Sequence, residues 1–144
     1  VHNGLMEDAE GKLSKSGAQR LTLSEIFEKY GPLQMRFYLL GHHYRENTPF
    51  DIESFEGACE EYNALNRVAE KAMMYEKAEI ESTLLFEILK KMENSMNDDL
   101  NTPAVIDLIR EVDRMAKERM ENESEMGQIS SIYSIFKKTL GIFL

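Results

Sequence analysis

From residue 51 onward the chain alternates apolar and charged positions with the period of a helix. Phe55, Ala58, Cys59, Tyr62, Leu65, Ala69, Ala72 and Met73 fall on one stripe, while Glu60, Glu61, Arg67, Glu70 and Lys71 occupy the other faces. Side chains three and four apart share one face of a helix, so this spacing predicts a long amphipathic helix, with Asp51 placed to cap it. A second stripe, Leu84, Leu85, Ile88, Leu89, Met92 and Met96, predicts a helix over roughly 80–96. A third follows with Val105, Leu108, Ile109 and Val112, capped by Thr102 and carrying Pro103 at its first position. The acidic run Glu121 to Glu125 reads as a linker or frayed helix end. Ile129, Ile132, Tyr133, Phe136 and Leu140 form the last stripe, closed by Gly141. Amphipathic helices must bury their stripes against one another, so residues 51–144 are expected to form an antiparallel helical bundle.

The first 50 residues have a different texture. Asn3-Gly4 and Glu10-Gly11 are turn signals with short apolar pieces between them, which predicts a small hairpin. Thr22-Leu23-Ser24-Glu25 has the form of a capping box, so a helix is expected from about 23 to 30, stopping at Gly31. Pro32 opens a second short helix bearing Leu33, Met35, Phe37, Leu39 and Leu40, which ends near Gly41, with His42 and His43 beyond it. Thr48-Pro49 breaks the chain again. The expected fold is therefore mainly α, with a hairpin and loop region over 1–50 and the bundle over 51–144.

Composition narrows the class. The 144 residues are 42% hydrophobic and 30% charged, a globular balance. A net charge of −9 opposes indiscriminate binding to nucleic acid, so an RNA partner requires local basic patches and shape recognition. One cysteine excludes an internal disulfide and suits a reducing compartment. No uninterrupted apolar run reaches the length of a membrane span, and no signal-peptide pattern is present. An opening at Val1 rather than methionine suggests a fragment of a longer polypeptide.

The stretch richest in chemistry is Lys12-Leu13-Ser14-Lys15-Ser16, bracketed by Gly11 and Gly17. Its ammonium groups could neutralise a polyphosphate while the hydroxyls of Ser14 and Ser16 donate hydrogen bonds, with the glycines permitting close approach. The same residues also fill ordinary solvated loops. The spacing is not that of a Walker A loop.

This pentapeptide resembles the Lys-Met-Ser-Lys-Ser signature of class I aminoacyl-tRNA synthetases. Val1-His2-Asn3-Gly4, Thr22-Leu23, Arg36-Phe37-Tyr38-Leu39-Leu40, His43-Tyr44-Arg45 and Met96-Asn97-Asp98-Asp99-Leu100-Asn101-Thr102-Pro103-Ala104 then follow in the order seen in cysteinyl-tRNA synthetases. Two departures stand out: Leu13 replaces the family's methionine, and Gly17-Ala18-Gln19 replaces its usual Leu-Gly-Asn. The resemblance implies the C-terminal portion of a cysteine–tRNA ligase, with a bundle of the anticodon-binding type. It implies that Lys15 and Lys12 act catalytically and that both, with Ser14 and Ser16, hold the ATP phosphates. Pyrophosphate leaves with growing negative charge during amino-acid activation, and lysines that engage it mainly in the transition state raise the rate. ATP with magnesium and cysteine would be used by the whole enzyme, and zinc would belong to its catalytic half, ahead of residue 1. The implied setting is a cytoplasmic monomer acting on tRNA(Cys), with no membrane partner.

Arg36, Tyr44 and Arg45 near the junction, and Arg110 and Arg114 in the bundle, are candidate tRNA contacts, with Lys117 and Arg119 beside them. Arginine pairs bidentately with phosphate and tyrosine stacks on bases, although solvated helix surface is the stronger reading for the bundle group. No metal ligands are assigned: adjacent His42 and His43 suit a helix C-terminus better than one ion. Asp98 and Asp99 read as part of a helix-start loop near a positive dipole end, and Cys59 as a small core residue. Two rival functions remain: a cysteine ligase acting on an amino sugar, and a non-catalytic helical module that binds tRNA or a synthetase.

Overall fold

A computed structural model describes the backbone of residues 6–8, 11–12 and 23–143, and the side chains of 24–48 and 50–143. Strand β1 (Met6–Asp8) pairs antiparallel with β2 (Gly11–Lys12), as the turn signals predict. A third short strand, β3 (Thr48–Pro49), runs parallel to β1 on its other edge, where the sequence showed only a break. Helices α1 (Leu23–Lys29) and α2 (Pro32–Leu40) precede β3. The bundle follows as α3 (Ile52–Met73), α4 (Thr83–Asn97), α5 (Thr102–Arg119) and α6 (Glu123–Leu140). Thr22 of the expected capping box lies outside the described residues.

The stripes meet in one core. Ile88, Val105, Ile109, Val112, Ile129, Tyr133 and Phe136 are fully buried at the centre of the four long helices. Phe37 of α2 joins them against Tyr62, with ring centroids 5.7 Å apart. A second cluster of Ile26, Met35, Tyr38, Phe55 and Cys59 fastens α1 and α2 to the N-terminal half of α3. Asp51 caps α3, its carboxylate accepting the Ser54 N–H at 2.8 Å. At the far end Gly141 takes a left-handed conformation (φ 65°), and Ile142 and Phe143 turn back into the core. There the Tyr62 hydroxyl donates to the Ile142 carbonyl at 2.6 Å, and Phe143 packs edge-on against Tyr133.

Four expectations need correction. The cap of α5 is Asn101, whose Oδ1 accepts the Ala104 N–H at 3.3 Å; Thr102 is the first helical residue, so Pro103 stands second. The reason is the preceding turn: Asp99 and Leu100 both have positive φ (52° and 55°), which leaves Asn101 facing the orphan N–H groups. Leu84 lies off the buried stripe and is 38% exposed. Residues 80–82 are not helical. Finally, the acidic run is mostly ordered helix: Asn122 caps α6, and Glu123 and Glu125 stabilise its first turn.

The segment between α3 and α4 runs along the first turns of α6. Ala78 N–H donates to the Gly127 carbonyl (3.1 Å), Ser131 Oγ to the Ala78 carbonyl (2.7 Å) and Ser130 Oγ to the Tyr75 carbonyl (3.1 Å). The buried Gln128 side chain accepts the N–H groups of Glu81 and Ser82 at 3.0 and 2.9 Å. A run of Gly127, Gln128, Ser130 and Ser131 thus satisfies the polar backbone of a connection laid across a helix.

Candidate nucleic-acid interface

Lys12 closes β2, which places the start of the lysine stretch at the end of the small sheet. Ser14, Lys15 and Ser16 lie outside the described residues, as does the Lys12 side chain.

The junction residues converge on Asp99. Arg45 grips its carboxylate bidentately, Nη2 to Oδ1 at 2.9 Å and Nε to Oδ2 at 2.8 Å, while the Tyr44 hydroxyl donates to Oδ1 at 2.7 Å. The Arg45 guanidinium also lies over the Tyr44 ring, 5.4 Å from its centroid. His43 Nε2 reaches the Asp99 carbonyl at 3.2 Å. Asp99 therefore ties the loop after α2 to the turn between α4 and α5. Its carboxyl is held below the usual range, first by the Tyr44 hydrogen bond and then by the Arg45 charge. This differs from the expectation that it sits by a helix dipole: Asp98 is the C-cap of α4, and Asp99 faces α2's loop.

The other candidate cations have distinct surroundings. Arg36 Nε donates to the Leu140 carbonyl at 2.6 Å, capping the end of α6. Arg110 forms a bidentate pair with Glu61 (2.5 and 2.9 Å) and reaches Asp107 at 2.6 Å, which raises its pKa. Lys117 pairs with Asp113 at 2.7 Å, and Arg119 with Glu125 at 2.7 Å. Arg114 is exposed and has no ion pair among the described residues. His42 Nδ1 contacts the Tyr38 carbonyl at 2.9 Å, at the end of α2. Cys59 is buried, and burial pushes its thiol up to about 11, far from a nucleophile's range. Among the described residues no three His, Cys, Asp or Glu side chains are grouped to hold a metal.

Between α1, α2 and the Asp99-Leu100 turn lies an open groove of about 440 Å³. Phe27, Leu39 and Leu100, each exposed by more than two-fifths, line it together with Arg36, His42 and Tyr44. Neither the hydropathy pattern nor the motifs pointed to this groove, because Leu100 enters it only through the left-handed turn.

Residues 91–144 match a family model described as DALR domain. Over nearly its whole length the chain is also similar to proteins named cysteine–tRNA ligase. It is 34% identical to that of Lachnoclostridium phytofermentans over 93% of this chain, and 32% identical to that of Maridesulfovibrio salexigens over 99%. The Persephonella marina protein is 29% identical over 99% of the chain. The chain spans about a third of the length of these relatives, covering 32–33% of each.

Proposed function

We propose that this chain is the C-terminal portion of a cysteine–tRNA ligase, carrying the phosphate-binding lysine loop and a helical bundle that contacts tRNA. The observation that carries the reading is the continuity of the similarity. The relatives match across 93–99% of the chain, while the DALR match covers only 91–144. Similarity confined to the bundle would suit a free-standing binding module better; similarity over nearly the whole chain supports the ligase reading.

On this reading the whole enzyme activates cysteine with ATP and magnesium in the cytoplasm and transfers it to tRNA(Cys). Lys15 and Lys12 engage the phosphates as pyrophosphate leaves, with Ser14 and Ser16 donating hydrogen bonds. Zinc, where the parent uses it, belongs to the part preceding this chain. Among the tRNA candidates, Arg114 is exposed with no ion pair among the described residues, while Arg45, lying over the Tyr44 ring, would have to share a guanidinium that already grips Asp99. Arg36 and Arg110 would have to share guanidinium groups already engaged within the protein. The decisive variant is Lys15→Ala in the intact parent. Cysteine-dependent ATP–pyrophosphate exchange should fall by orders of magnitude, and unchanged exchange would remove the assignment of the loop.

A further inference from the structure

The groove beside the Asp99-Leu100 turn is built at a conformational cost. Two successive residues other than glycine sit in the left-handed region, a conformation that persists only where surrounding contacts hold it. Those contacts are on the surface: Asp99 is exposed and held by Tyr44 and Arg45. The turn's effect is to push Leu100 out of the bundle, 51% exposed, opposite Phe27 and Leu39. The lining also has a sign. In a chain with 26 acidic residues against 17 basic ones, no carboxylate lines the groove among the described residues, while the Arg36 guanidinium does, with the His42 imidazole and the aromatic rings of Phe27 and Tyr44 beside it. Apolar and aromatic walls with a cationic rim match an unstacked nucleobase and its phosphate, and RNA readers use this combination on unpaired nucleotides.

We propose that this groove receives an unpaired base of the bound RNA, stacked against Phe27 and Leu39, with Arg36 and His42 facing its phosphate. The proposal rests on the tRNA-contact reading above and adds to it the place and the kind of nucleotide. Asp99 is a positioning residue: it fixes the wall that Leu100 and Tyr44 provide.

The test compares two probes, a tRNA(Cys) transcript and a fully paired RNA duplex of about the acceptor-stem length, over a range of salt concentrations. Phe27→Ala should weaken transcript binding roughly tenfold, as expected for the loss of one stacked base. The salt slope should stay unchanged, because no phosphate contact is lost, and duplex binding should not move. Leu39→Glu places a carboxylate in the groove and should weaken transcript binding most at low salt. Both positions are solvent-exposed, and circular dichroism confirms that each variant is folded. Equal loss on both probes, or no loss on either, overturns the groove while leaving the tRNA reading intact. Failure of the unaltered protein to bind the transcript overturns both. A Leu39→Glu variant that changes only self-association in sedimentation, with transcript binding intact, means that a second copy covers the groove and likewise overturns the proposal.

Discussion

Gly127 offers the sharpest test of the packing, because its sign is opposite to what helix propensity predicts. The residue lies near the start of α6 with an ordinary helical backbone, so replacing it by alanine should gain about 1 kcal/mol from reduced chain entropy and better propensity. The structure opposes this gain. A Cβ at position 127 would lie 2.7 Å from the Glu76 carbonyl oxygen and 3.1 Å from the Ala78 side chain. The first of these is backbone, so the connection between α3 and α4 must lift away. Lifting weakens the Ala78 bond to the Gly127 carbonyl and the Ser131 and Ser130 bonds to the Ala78 and Tyr75 carbonyls. At about 1 kcal/mol net for each bond, losing two or three outweighs the propensity gain. Gly127→Ala should therefore destabilise by roughly 1–2 kcal/mol, within the range of overpacked sites. Gly57, exposed on α3 with nothing within 4 Å of its would-be Cβ, is the internal control. Gly57→Ala should stabilise by roughly 0.5–1 kcal/mol. Urea unfolding followed by far-ultraviolet circular dichroism reads both. If Gly127→Ala stabilises the chain as Gly57→Ala does, the connection does not lie against α6 as described.

Other consequences concern single groups. Tyr62→Phe should cost about 1–2 kcal/mol in urea unfolding, since it strands the buried Ile142 carbonyl. Tyr133→Phe should instead be neutral or stabilising, because the buried Tyr133 hydroxyl has no hydrogen-bond partner among the described residues. Asp99 has a lowered pKa, so its contribution is complete above its ordinary value of 3.8 and is lost as the pH falls through the lowered value. Accordingly Asp99→Asn should be less stable than the parent chain near neutrality, and the two acid-unfolding curves should converge at low pH; parallel curves would contradict the Tyr44–Arg45 link. Cys59 should react with a thiol reagent only on unfolding, since its thiol is buried and its pKa is pushed up to about 11. Rapid reaction of the native chain would show that α1 and α2 do not cover it.

The helices were legible because each has a long stripe and local start and stop chemistry. Asp51, Gly31, Gly41 and Gly141 all stand at the boundaries their residue types imply. Legibility failed where a tertiary partner decides. Nothing local in Asp99-Leu100 announces two left-handed residues, so Thr102 looked like a cap in place of Asn101. Gln128, Ser130 and Ser131 read as ordinary polar helix residues until the extended connection they bind is seen beside them. Among the candidate contacts, the residue types were visible but their engagement was not. Arg36, Arg110 and Arg114 are the same residue type, yet the first caps α6 through the Leu140 carbonyl, the second is held by two carboxylates, and the third is exposed with no ion pair among the described residues. The lysine loop is the reverse case: its motif is plain in Lys12 to Ser16, while most of it lies outside the described residues.

The central claim is that this bundle belongs to an enzyme that esterifies cysteine to tRNA. The most direct measurement captures the native polypeptide with an antibody to residues 51–144 and supplies it with labelled cysteine, ATP, magnesium and total tRNA. The account predicts a polypeptide several times larger than 16.7 kDa that deposits cysteine on tRNA(Cys). Cysteine-dependent pyrophosphate exchange with no charged tRNA would point instead to a ligase for another acceptor such as an amino sugar. A native product of about 16.7 kDa that binds tRNA but activates no amino acid would contradict the account in favour of a binding module.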